Sequence, residues 1–191
     1  MVGICSGLRP EKAHGDLLAA LARLRARGVP AQALLIGDGP ERPAIERGIA
    51  RLGLEDHVRI TGLMADVRPF VSACDVMTLV SHSETFSLAA LESMCLGKPL
   101  VMSDLGGAGE QVIHGSTGLL FAPGDIEALA AHLEALTCLS LRRRLGEAAA
   151  RRVRQLFTVQ RMAGRFTDRI ERLLQARVRP LDGNRICLPS R

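Results

Sequence analysis

The chain has 191 residues, 47% of them apolar, enough for one domain with a real core and too apolar for a disordered chain. No apolar run reaches the ~18–20 residues that span a bilayer, and the lack of tryptophan and tyrosine removes the stacking platforms that single-stranded nucleic acid needs, so no nucleic-acid partner is expected. The formal net charge of +5 is uneven: residues 1–140 carry 11 Lys+Arg against 16 Asp+Glu, whereas residues 141–191 carry 14 arginines against 4 acidic residues.

Val2–Ser6 reads as a buried strand ending at Gly7, without the basic leader of a signal peptide. Pro10-Glu11 opens a helix with Leu17, Leu18, Leu21 and Leu24 at helical spacing, and Gly28-Val29-Pro30 ends it. Ala31–Ile36 is a second strand, closed by Gly37-Asp38-Gly39-Pro40, and Glu41–Leu52 a second helix. Val58–Thr61 is a third strand, and Asp66–Ala73 a short helix with Asp66 as its N-cap. Val76–Val80 is the fourth strand, followed by a helix over about Ser87–Leu96 and a fifth strand, Leu100–Ser103. A glycine-led helix covers Gly106–His114, a sixth strand Leu119–Phe121, and a helix Asp125–Leu136. Two arginine-rich helices follow, roughly Ser140–Phe157 and Val159–Ala176, and Arg177–Arg191 reads as a loose tail.

Continuous apolar strands alternating with helices predict an α/β fold: a doubly wound, Rossmann-like parallel sheet of about six strands with helices on both faces. In such sheets ligands bind at the carboxyl ends of the strands. Gly7–Lys12, Gly37–Pro40, Gly62-Leu63, His82–Ser87 and Asp104–Glu110 all fall there.

Within those loops, Glu84 and Glu92 stand eight positions apart, one in the turn after strand four and one in the helix that follows. A helix N-terminus is an anion site, and carboxylates beside it suit a hydroxyl-rich group carried on phosphate, such as a sugar nucleotide. Glu84 also reads as a carboxylate favouring the helix dipole. Glu92 sits on an Ala/Leu/Met-rich helix and is expected to abut the sheet, where a charge needs a partner. Lys12 and Lys98 are the only two lysines. Lys12, with Gly7 and Arg9 in its loop, suits a diphosphate, whereas Lys98 lies at the opposite end of the sheet as a helix C-terminal cation. Gly106-Gly107 allows either a tight turn or a close approach to a ligand.

Gly37-Asp-Gly39 lacks the third glycine of GxGxxG and follows the second strand, so a redox dinucleotide is poorly supported, and no GxxxxGK[ST] occurs. His14, His57, His82, His114 and His132 show no metal-ligand spacing, and no metal site is expected; His82 reads as lining. The cysteines Cys5, Cys74, Cys95, Cys138 and Cys187 are odd in number and form no CxxC pair, which points to mostly buried, reduced thiols and a cytoplasmic compartment. The basic helices offer a solvated face, a partner surface or a patch for anionic lipid.

The segments LRPEKAHGDLL (8–18), LLIGDGPER (34–42), ITGLMADVRPFVSACDV (60–76) and SETFSLAALESMCLGKPLVMSDLGGAGEQVIHGSTGLLFAPGD (83–125) together resemble the C-terminal, donor-binding half of retaining glycosyltransferases of family 4, the group 1 family. The resemblance implies one half of a GT-B fold and a nucleotide-diphosphate sugar donor (UDP-, GDP- or ADP-linked) with no metal or other cofactor. It implies that Glu84 contacts the donor sugar, Glu92 the ribose hydroxyls, and the backbone amides of Phe86, Ser87 and Leu88 the sugar and distal phosphate. Lys12 would neutralise the departing diphosphate, making Glu84 and Lys12 the catalytic pair, and Leu63 would lie near the base. Many members carry an arginine where this chain has Gly7, and Arg9 stands in as the second cation.

On this reading residues 1–176 form the donor domain, and the acceptor-binding N-terminal domain, which would hold an acceptor sugar or lipid-linked glycan, is absent. The isolated chain is then expected to be inactive, and an exposed helix face would favour a homodimer. The expected pathway is surface polysaccharide or glycolipid assembly in the cytoplasm, with the inner face of the membrane as a peripheral location. The alternatives are a sugar-nucleotide epimerase-like GT-B enzyme and a non-catalytic nucleotide-sugar binding module.

Overall fold

A computed structural model describes residues 1–178. Six strands form one parallel sheet: β1 Val2–Cys5, β2 Ala33–Ile36, β3 Val58–Ile60, β4 Val76–Leu79, β5 Leu100–Ser103 and β6 Leu119–Phe121, in the order β3-β2-β1-β4-β5-β6. Every residue of β4 and β5 is buried, because a central parallel strand is covered on both faces and has no polar side to show. This is the expected doubly wound sheet.

The helices are α1 His14–Ala26, α2 Arg42–Arg51, α3 Arg68–Ala73, α4 Leu88–Cys95, α5 Ala108–Gln111, α6 Ile126–Ala135, α7 Leu139–Leu156 and α8 Val159–Val178. On one face Leu17, Leu21 and Leu24 of α1, Ile45 and Ile49 of α2 and Leu129 and Leu133 of α6 close over Val2, Ile4, Leu35 and Val101. The chain divides into two compact units, Met1–Gln155 and a second beginning at Leu156. Of the second, α8 carries Val159, Met162, Phe166, Ile170 and Leu173 at helical spacing.

Several elements differ from the sequence reading. The helix opened by Pro10 is broken: Pro10–Lys12 is a 3-10 turn, and Ala13, at φ 48 and ψ 42, is the one described non-glycine residue in the left-handed region before α1 starts. Asp66 accepts the Arg68 N–H at 3.0 Å, but α3 starts at Arg68 with Val67 as its cap residue. The helix expected over Gly106–His114 shrinks to the single turn α5, because Gly106 takes φ +49 and Val112 is extended. The expected tail meets α8, which runs to Val178, and the rest of that stretch lies outside the described residues. Of the described cysteines, all free, Cys74 is buried as expected, but Cys5 is half-buried and Cys95 and Cys138 are exposed.

β1 and β4 are neighbours whose crossovers leave in opposite directions along the sheet. The gap between their carboxyl ends is the topological switch point where such sheets hold ligands.

Candidate functional site

Two loops meet at that switch point. The first follows β1 and runs Ser6–Ala13; the second follows β4 and runs Val80–Ser87. Lys12 Nζ donates to Glu84 Oε2 at 2.7 Å across the gap, with both side chains about one-fifth exposed. The His82 backbone N–H donates to the Glu11 carbonyl at 2.8 Å, and the His82 ring Nε2 lies 2.7 Å from Asp16 Oδ2 at the start of α1. The sequence singled out Lys12 and Glu84 separately; the fold brings them into contact. His82, read as lining, is a strut between the two loops.

The first loop is braced from behind. The Leu8 N–H donates to the Asp38 carbonyl at 3.0 Å, and the Glu41 N–H to the Leu8 carbonyl at 2.9 Å. A Cβ on Gly39 would lie 2.5 Å from the Leu8 carbonyl oxygen, so the backbones meet as closely as they do only because residue 39 is glycine. The Gly37-Asp-Gly39 loop that fails the dinucleotide pattern therefore supports the lysine loop. The Gly39 N–H, and with it Arg42, lowers the pKa of the Asp38 carboxyl. Inside the loop, Ser6 Oγ lies 3.1 Å from His14 Nε2. His14 is buried, and burial followed by the nearby Lys12 charge lowers its pKa to about 4. Its Nδ1 has no partner among the described residues, and with a pKa of about 4 the ring is neutral at neutral pH.

The second loop ends at Ser87, the N-cap of α4, whose Oγ accepts the Ala90 N–H at 3.3 Å. The Ser87 N–H is itself taken by Gln111 Oε1 at 3.2 Å. In the first turn, Leu88 and Ala89 are thus the residues whose amides have no internal acceptor among the described residues, the usual consequence of a helix start. Leu88 and Phe86 are exposed at this rim, as is Leu63 beyond β3 at 83%. Gly7 and Arg9 are exposed on the lysine loop. Gly106 and Gly107 press on the Glu84–Phe86 turn: a Cβ on Gly106 would collide with the Glu84 carbonyl oxygen, and one on Gly107 would come within 2.8 Å of the Phe86 ring.

Glu92 departs from expectation. It is exposed, and Ala90, Ser93 and Met94 take the buried face of α4. Burial, and after it the Glu92 charge, raises the pKa of the Cys5 thiol at the end of β1. Lys98 lies at the other end of the sheet and donates to the Ser72 and Cys74 carbonyls at 2.6 and 2.7 Å, closing the end of α3. Among the described residues no group of three His, Cys, Asp or Glu side chains converges on a metal position, and no helix is long and apolar enough to cross a membrane.

Sequence reasoning did not single out Ser6, His14, Asp16 or Gln111. A buried histidine and a buried glutamine carry no periodic signal; only their position behind the two loops marks them.

Comparison with known proteins places this geometry. The family model for glycosyl transferases group 1 matches residues 1–138. The N-acetyl-alpha-D-glucosaminyl L-malate synthase of Bacillus anthracis is 33% identical over 162 residues, covering 84% of this chain and 42% of that protein. The glycogen synthase of Mycobacterium tuberculosis is 38% identical over 134 residues, 65% of this chain and 30% of that one. Among solved structures, Anabaena Alr3699/HepE in complex with UDP superposes with a TM-score of 0.82 at 30% identity, over 89% of this chain and 48% of that one. The C-terminal domain of a glycosyl transferase group 1 family protein (LpcC) from Francisella tularensis shares the fold, with a TM-score of 0.74 at 23% identity over 83% of this chain and 86% of that one. The chain thus spans less than half the length of the first relatives it matches.

Proposed function

The chain belongs to the glycosyl transferases group 1 family, and from that membership we propose that it is the donor-binding domain of a retaining glycosyltransferase that uses a nucleoside-diphosphate sugar. The observation that carries the proposal is the Lys12–Glu84 contact across the β1/β4 switch point, beside the open amides of α4. A diphosphate there meets an ammonium and a helix N-terminus, which together stabilise the charge that develops as the sugar leaves. Lys12 and the α4 amides take the neutralising role a metal takes elsewhere. Glu84 faces the donor sugar, Glu92 the ribose hydroxyls and Leu63 the base, with Arg9 as the second cation.

The UDP complex of HepE supports a nucleotide ligand. Surface polysaccharide or glycolipid assembly in the cytoplasm is the setting we assign, with the acceptor held outside residues 1–178 and transfer requiring that second part.

In the free domain Lys12 and Glu84 satisfy each other. Binding transfers Lys12 from the carboxylate to the phosphate and leaves Glu84 to accept hydroxyls, so one ion pair becomes two ligand contacts. Calorimetric titration with UDP, GDP, ADP and their sugar conjugates tests the proposal. Saturable binding of at least one diphosphate is expected, and a folded chain that binds none of them contradicts it.

A further inference from the structure

Gln111 ends α5 and is fully buried. Its side chain makes two hydrogen bonds, both to one residue: Oε1 accepts the Ser87 N–H at 3.2 Å, and Nε2 donates to the Ser87 carbonyl at 2.7 Å. A primary amide offers the same donor and acceptor as a peptide unit, so Gln111 pairs with Ser87 as a neighbouring strand would, at a point where the sheet has none.

The arrangement is rigid on both sides. The Gln111 N–H donates to the Gly107 carbonyl at 3.1 Å, and the Gly107 N–H to the Thr85 carbonyl at 2.7 Å. Arg152 of α7 donates from Nε to the Gln111 carbonyl at 2.9 Å and from Nη2 to the Glu110 carbonyl at 2.6 Å. Thr85, Gly107, Gln111 and Ser87 therefore form a closed ring of bonds around the turn that carries Glu84.

The consequence lies at the start of α4. Ser87 is held extended, at φ −85 and ψ 119, and its Oγ takes the Ala90 N–H. With its own N–H committed to Gln111, Leu88 and Ala89 are the first-turn residues of α4 whose amides have no acceptor among the described residues.

We propose that Gln111 is a positioning residue of the donor site, which fixes Ser87 as the N-cap of α4 and so selects and aims the amides that receive the distal phosphate of the donor. The role rests on the donor-site reading above. It also separates two parts of the ligand: the distal phosphate depends on Gln111, whereas the nucleoside and proximal phosphate do not.

The test compares a nucleoside diphosphate with its monophosphate on wild-type chain and on Gln111→Leu, using whichever of UDP, GDP or ADP the wild type binds most tightly. The expected result is a loss of tenfold or more in diphosphate affinity and less than twofold in monophosphate affinity, together with faster hydrogen exchange at the Ser87 amide and an otherwise unchanged amide spectrum. Equal weakening of both nucleotides, or unchanged diphosphate binding by a folded Gln111→Leu chain, overturns the role while leaving the donor site in place. Wild-type chain that binds no diphosphate overturns both. If Gln111→Leu does not fold, Gln111→Met makes the same comparison, because it keeps the length of the side chain but cannot donate to the Ser87 carbonyl and offers the Ser87 N–H only a weak sulfur acceptor. A threefold or greater loss for the diphosphate relative to the monophosphate is then expected, and an unchanged ratio overturns the role.

Discussion

His14 couples the stability of the lysine loop to pH. Its pKa falls from 6.5 in the unfolded chain to about 4 in the fold, burial being the larger cause and the Lys12 charge the smaller. The folded state therefore binds fewer protons than the unfolded state between those values, and stability rises with pH across that window. His14 costs nothing above about pH 6.5, and its penalty grows as pH falls toward 4. At about 1.36 kcal/mol per unit, the linkage amounts to roughly 2–3 kcal/mol at pH 4.5 relative to pH 7.5. Gln in its place keeps a hydrogen-bonding partner for Ser6 Oγ but does not titrate. Urea unfolding followed by far-ultraviolet circular dichroism, at pH 7.5 and 4.5, on wild type and His14→Gln, isolates the effect, since the carboxylates titrate alike in both chains. The wild type is expected to lose about 2–3 kcal/mol more than the variant. Equal losses in the two proteins would refute this assignment of the proton linkage to His14.

Three further outcomes follow from single positions. Ala13→Gly relieves a left-handed alanine and is expected to stabilise the chain by about 0.5–1 kcal/mol in thermal unfolding. Gly106→Ala places a methyl against the Glu84 and Thr85 carbonyls at φ +49, so a loss of about 2 kcal/mol or more is expected, with weaker diphosphate binding measured by calorimetry. Glu92→Ala is expected to weaken a ribonucleoside diphosphate about tenfold, the loss of one or two charge-assisted hydrogen bonds, and inorganic pyrophosphate hardly at all. Equal effects on the two ligands would remove Glu92 from the ribose.

Much of this architecture was legible because it rests on periodicity. Val76–Leu79 and Leu100–Ser103 are uninterrupted apolar runs, and an uninterrupted run is what a strand buried on both faces requires. The carboxyl-end loops followed from the alternation of strands and helices, so Lys12 and Glu84 could be placed at the same end before any coordinates. Their contact could not, because 72 residues separate them and only the β1/β4 adjacency joins them. Glu92 misled for a physical reason: an eight-residue helix rich in alanine and leucine has two apolar faces, and composition does not say which one meets the sheet. Gly106–His114 misled because its glycines serve a backbone approach to Glu84 and Thr85, a tertiary demand that overrides helix continuation. Gln111 was invisible for the opposite reason, since its two bonds go to the backbone of a residue 24 positions away.

The donor-site reading is tested most directly by amide chemical-shift mapping on the isotope-labelled chain as a nucleoside diphosphate is added. The account places the largest shifts at Gly7–Lys12, Glu84–Glu92 and Gly106-Gly107, with the amides around Lys98 and the Cys74 carbonyl unmoved. Shifts clustered at that opposite end of the sheet, or a spectrum unchanged at millimolar UDP, GDP and ADP, would contradict it.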